Sequence, residues 1–151
     1  MAHVTLANGF GAEQYFYNVG EAVGPGMPNR RNDVLLVQFF LKVIIDNPAS
    51  FRRPMPPPPG RPLVVDGIAG DTTFRTIKAF QEHIRVGGEL SITADGRVDR
   101  ATGNGRGTIS KNQFTVTFLN TAYKAVRPSQ FRNISDSSDC PQELASAVSL
   151  V

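Results

Sequence analysis

Two short runs rich in aromatic and β-branched residues open the chain, His3 to Ala7 and Tyr15 to Val19. Asn8-Gly9-Phe10-Gly11 lies between them, so residues 1–27 read as β with a hairpin at the start. Gly24-Pro25-Gly26-Met27-Pro28 then breaks the chain. From Val34 to Ile45 the residues are apolar almost without interruption, which predicts a helix buried on several sides, with Asn32 or Asp33 as its cap. Gln38 is the polar exception inside that run. A buried amide needs partners, and backbone groups of an adjacent loop are the natural ones. A second helix is predicted over Thr72 to Arg85, with Phe74, Ile77, Phe80 or Gln81, and Ile84 near one face and Gly87-Gly88 as its end. Leu90 to Thr93 is short enough for a strand. Ser110 to Val126 reads as a third helix in its later part, although Phe114-Thr115-Val116-Thr117-Phe118 alternates like a strand. Pro141 suits a first helical position, with Leu144, Val148 and Val151 on one face of a short terminal helix.

Residues 46–62 form a loop, because Pro48, Pro54, Pro56, Pro57, Pro58, Pro59 and Pro62 forbid helix and favour polyproline II. Such a stretch serves either as a stiff surface spacer, the reading favoured here, or as a ligand for a proline-reading partner.

The length of 151 residues suits one ordinary domain with its own core. The single cysteine, Cys140, excludes an intrachain disulfide. The N-terminus lacks the charged and apolar regions of a cleavable signal, and no run is long enough to span a membrane. The expected location is the cytoplasm as synthesised, or the periplasm or cell envelope after export by a non-conventional route. Net charge is +3. That is a weak footprint for nucleic acid, and no basic stripe follows a helix, so nucleic-acid binding is not expected. Arg30, Arg31, Lys42, Arg52, Arg53 and Arg61 concentrate base in residues 28–62, whereas Asp136, Asp139 and Glu143 make the tail acidic.

The chain carries one motif twice. Asp66-Gly67-Ile68-Ala69-Gly70-Asp71-Thr72-Thr73 leads into the second helix, and Asp95-Gly96-Arg97-Val98-Asp99-Arg100-Ala101-Thr102 follows 29 residues later. Gly67 and Gly96 suit a turn with positive φ. Asp66 and Asp95 suit acceptors for the backbone N–H two residues on. Thr or Asp a few residues later suits a helix cap. Val37-Gln38 precedes the first copy and Phe80-Gln81 the second, so each half reads as helix with an apolar-Gln pair, loop, Asp-Gly turn, next helix.

In this order the pieces resemble the peptidoglycan-binding-domain-like family over about residues 30–126. That family has a Leu-Gln pair on a first helix, an Asp-Gly-x-x-Gly-x-x-Thr turn, Phe-Gln on a second helix and a second Asp-Gly turn with Thr before a third. Gln38, Asp66, Gly67, Gly70, Thr73, Gln81, Asp95, Gly96 and Thr102 match it, and Asp99 replaces the second glycine of the last turn. The resemblance implies a mainly α fold: a three-helix bundle over 30–126 with an insertion at 46–62. An N-terminal β-rich extension, 1–29, and an acidic tail with a short helix, 127–151, flank it. It further implies a non-catalytic, bacterial cell-wall module that binds peptidoglycan and places a partner there. The alternative is a structural adaptor that uses this fold, with the N-terminal hairpin or the Pro-rich loop as its contact, in a phage-like assembly or a secretion machine. Arg97, Arg100, Asn104, Arg106 and Tyr123 are the expected ligand contacts, since stem peptides and sugars offer carboxylates, amides and hydroxyls.

An enzyme is not expected. His3 and His83 are the only histidines, HExxH is absent, and nothing pairs Cys140 with either of them. The Asp-Gly turns lack the dense oxygen spacing of a calcium loop, and no cofactor or metal is implied.

Overall fold

The computed structural model describes residues 1–9, 12–88, 92–102 and 114–148. They are mainly helical. Strands β1 (His3–Gly9) and β2 (Ala12–Asn18) pair antiparallel, with His3 opposite Asn18 and Gly9 opposite Ala12. Four α-helices follow: α1 (Arg31–Asp46), α2 (Asp71–Val86), α3 (Thr115–Val126) and α4 (Gln142–Val148).

The centre is α1, which touches α2, α3 and α4. Its near-continuous apolar run is the cause: Val34 to Leu41, Val43 and Ile44 are all buried. A helix with this little polar surface must be covered on several sides. Aromatic rings fill the space between α1, α3 and the hairpin. Tyr123 stacks on Phe40 at 4.5 Å, and Tyr17 meets Phe40 and Phe131 edge-on at 5.8 and 5.4 Å. The Tyr17 hydroxyl donates to the Phe131 carbonyl at 2.8 Å and accepts from the Ile134 N–H at 3.1 Å. Burial pushes that phenol up to about 12, so it stays protonated and able to donate.

The N-terminal segment is stitched to the rest by side-chain amides. Asn120 on α3 accepts from the Tyr17 N–H and donates to the Tyr17 carbonyl, both at 2.8 Å. Asn18 does the same for Ala101, at 3.0 and 2.9 Å. Val23 and Val98 exchange two backbone hydrogen bonds. Tyr17, Val19 and Val23 thereby join one core with the helices.

Several details depart from expectation. The cap of α1 is Arg30, without a side-chain cap bond. Asp33 is fully buried, and its carboxylate accepts the Gly20 and Glu21 N–H groups at 2.9 and 3.1 Å. It fastens the incoming chain rather than its own helix end, and Asn32 makes no cap either. Ile92 and Thr93 belong to no strand. The Gly103–Gly107 loop, the start of the third predicted helix at Ser110 and Val151 lie outside the described residues. The terminal helix predicted after Pro141 is α4, and Leu144 and Val148 are wholly buried. A bare bundle of three helices therefore does not describe this core. Among the described residues no helix is long and apolar enough to cross a membrane.

Two forked ion pairs hold the tail. Arg31 grips Glu143 at 2.7 and 2.9 Å, and Arg127 grips Asp139 at 2.7 Å through both oxygens. Each arginine holds its carboxylate partner below the ordinary range. Carboxylates depressed in the folded state contribute fully above their unfolded values, near pH 4, and lose that contribution as the pH falls through the folded ones. The urea midpoint should therefore drop as the pH is lowered from about 5 to about 2.5, and drop less in an Arg31→Met/Arg127→Met double variant. Separately, Tyr17→Phe leaves a buried carbonyl and a buried N–H unpaired, and urea titration should show a loss of roughly 1–3 kcal/mol.

Candidate functional site

The two Asp-Gly motifs form one structure built twice. Gln38, on α1, is almost fully buried. Its Oε1 accepts the Asp66 and Gly67 N–H groups at 3.1 and 2.8 Å. Its Nε2 faces Asp66 Oδ1, the Ile68 carbonyl and Thr73 Oγ1 at 3.2, 3.0 and 3.0 Å. Gln81, on α2, repeats this. Its Oε1 accepts the Gly96 N–H at 2.8 Å, and its Nε2 faces Asp95 Oδ1, the Arg97 carbonyl and Thr115 Oγ1 at 3.1, 2.8 and 3.0 Å. Asp66 and Asp95 accept the N–H two residues on, from Ile68 at 2.9 Å and Arg97 at 3.0 Å. Gly67 and Gly96 sit at φ 77° and 74°. A Cβ at Gly67 would meet the Arg31 side chain at 2.9 Å, and one at Gly96 the Phe74 carbonyl at 3.2 Å. Each glutamine thus ties a turn and the following helix to the helix before them.

The threonines act differently from the caps expected of them. Neither α2 nor α3 has a side-chain cap bond, and the cap of α2 is Gly70 in extended backbone. Thr73 serves Gln38 instead. In the second copy Thr115 takes that place, whereas Thr102 is exposed and has no part in the clamp. The correction has a simple cause: Gln81 needs a hydroxyl at the start of the next helix, and α3 starts at Thr115.

Beside the first clamp lies an open groove of about 660 Å³. Gly60 to Val64 form one wall, the first turn of α2 forms the other, and Gln38, Asp66 and Ile68 contribute to its lining. Four large apolar side chains are exposed among the described residues, and two of them, Val64 and Ile68, line this groove. Asp71 pairs with Arg75 at 3.1 Å, whereas the exposed Arg61 has no ion pair among the described residues. The unoccupied N–H groups at the start of α2 add partial positive charge. The groove therefore offers a guanidinium, helix-end donors, carboxylates and apolar contact along one surface.

A second groove, about 290 Å³ and mostly apolar, separates α2 from α3. Phe80, His83 and Ile84 face Phe118, Ala122 and Ala125 across it, with Phe51 and Met55 at one side. His83 is occupied there: its Nε2 lies 2.9 Å from the Arg53 carbonyl, while Arg53 donates to the His83 carbonyl.

The expected ligand contacts do not converge. Arg97 is forked onto Asp99 at 3.0 and 3.1 Å. Arg100 is exposed, and Asn104 and Arg106 lie outside the described residues. Tyr123 is fully buried in the aromatic cluster, with its hydroxyl 3.3 Å from Ser137 Oγ, so its ring offers no face to a ligand. It lies where the alternating Phe114–Phe118 run continues into a helix whose inner face carries it. Burial pushes the Cys140 thiol up to about 11, which leaves little thiolate at neutral pH. The groove residues Arg61, Val64 and Ile68 were not among the expected ligand contacts; the sequence signal for them is a base and two bulky apolar residues close to Asp66-Gly67.

No family model, curated protein or solved structure matches this chain.

The clamp predicts its own failure. Gln38→Ala and Gln81→Ala should each lower unfolding free energy by roughly 2–4 kcal/mol in urea titrations, because several buried groups lose their partners at once. Gln38→Glu should cost at least as much at pH 7, since it sets a carboxylate against Asp66 Oδ1 and the Ile68 carbonyl.

Proposed function

We propose that this chain is a non-catalytic peptidoglycan-binding module, a three-helix peptidoglycan-binding-domain-like unit that positions a partner at the bacterial cell wall. The observation that carries this reading is the doubled clamp. Gln, Asp-Gly and Thr meet twice in closely similar hydrogen bonds, with Thr115 in the place of the Thr102 that the family resemblance names.

The groove beside the first clamp is the contact surface in this reading. Its volume falls in the range of small-ligand sites. Arg61 and the start of α2 suit a stem-peptide carboxylate. Val64 and Ile68 suit alanyl methyl groups and the apolar faces of sugar rings. A structural adaptor remains the second reading, favoured by the exposed Pro56–Pro59 run.

Purified protein mixed with insoluble sacculi at low salt should sediment with them. Arg61→Ala and Ile68→Asp should weaken this by about tenfold each, whereas Arg97→Ala should leave it unchanged. Wild-type protein found wholly in the supernatant would remove the proposal.

A further inference from the structure

The Pro-rich loop is presented rather than packed. Met55 and Leu63 are buried and pin its two ends. Between them Pro56, Pro57 and Pro59 are exposed, Pro58 is half-buried, and Gly60, Arg61 and Pro62 are exposed. The segment has no helix or strand, and four consecutive prolines restrict it to polyproline II. A stiff spacer explains the prolines, but not why both anchors are apolar and buried while the run between them faces water.

Charge around the run has a direction. Arg53 stands three residues before Pro56, in register for a basic residue ahead of a Pro-x-x-Pro ligand. It is already committed, donating to the His83 carbonyl near the end of α2. Arg52 is exposed but out of register, since Met55 stands three residues after it. At the other end Arg61 follows Pro59 by two residues, exposed and without an ion pair among the described residues. The Arg75 guanidinium lies 3.2 Å from where a Gly60 Cβ would sit, but it is paired with Asp71 at 3.1 Å, which leaves Arg61 as the uncommitted base at that end among the described residues. Gly60, at φ 106°, turns the chain there; as a glycine it returns to extended backbone without a steric penalty.

We propose that Pro56–Pro59 with Arg61 is a docking ligand for a proline-reading domain, one with an aromatic-lined groove for the polyproline ridges and an acidic pocket for the Arg61 guanidinium. Pro-x-x-Pro is the pattern such grooves read, because prolines three residues apart, one turn of the threefold helix, present their rings on one face and the ordering cost of the helix is already met. The buried anchors lower that cost further. Orientation follows from the charges: the free base lies at the C-terminal end, so the acidic pocket must lie there too.

The test uses the full chain. It is titrated by calorimetry into a panel of isolated SH3 domains that carry an acidic specificity pocket, at concentrations up to about 1 mM. Saturable binding is expected with at least one domain. Pro56→Ala/Pro59→Ala should weaken it by at least about tenfold and Arg61→Glu by about tenfold, with thermal midpoints of both variants close to the wild type. No saturable binding across the panel would overturn the proposal, as would binding that survives the double proline substitution. Binding lost with the prolines but indifferent to Arg61→Glu would overturn the assigned orientation. Pro56 and Pro59 do not line the groove of the first clamp, so sacculus binding should be insensitive to their replacement, and the two readings fail separately.

Discussion

A buried primary amide has one acceptor and two donor protons, and the low dielectric around it makes each unpaired group costly. This chain turns that liability into its organising contact. Gln38 and Gln81 sit among apolar residues where water cannot serve them, so only a backbone turn brought close can do so. The turn has to expose N–H groups and a carbonyl in the right order, and Asp-Gly supplies them: the aspartate closes on the N–H two residues on, and the glycine takes the positive φ. Helix, turn and next helix are thereby set in one geometry. The apolar contacts of α1 supply most of the stabilisation but little direction; the amides supply direction.

The same device recurs in smaller form. Asn18 and Asn120 each pair with both the N–H and the carbonyl of one residue, as a neighbouring strand would. A two-stranded hairpin is marginal alone. Here Asn120 of α3 closes on Tyr17, Asn18 at the strand's own end reaches Ala101, and Tyr17 carries the contact into the aromatic core. Asp33 extends the logic to a carboxylate, which receives two N–H groups of the segment leaving β2.

Local pattern made the helices and the hairpin legible, because each rests on spacing within one segment; the repeated Gln and Asp-Gly pattern marked the two clamps without showing which hydroxyl closes each. The near-continuous apolar run of α1 and its lone Gln38 sufficed to foresee a buried amide that a loop must satisfy. What stayed hidden depends on distant pairing. Asp33 looks like a cap from its neighbours, yet its partners are Gly20 and Glu21, and nothing local announces that the chain folds back there. Thr102 matches the motif, but Thr115 holds the required place because α3 starts later than the spacing implied. Tyr123 looks like a free aromatic ring until Phe39, Phe40 and Phe131 close around it.

The two clamps, closely similar in hydrogen bonding, differ in what covers them, and the open groove lies beside the first. Beside the second, Val23 pairs with Val98 and Asn18 with Ala101, so the segment leaving that turn is taken by the N-terminal extension. Arg97 is crowded by Gly24, where a Cβ would meet its Cγ at 2.6 Å, and is spent on Asp99. Beside the first, Arg31 donates to the Asp66 carbonyl at 2.9 Å and ties Glu143 of α4 to the turn. It guards one side and leaves Ile68, Val64 and Arg61 facing water on the other. Duplication of the clamp thus separates two tasks. One copy anchors added structure, and the other keeps an open groove next to the Pro-rich loop, lined from Gly60 to Arg75.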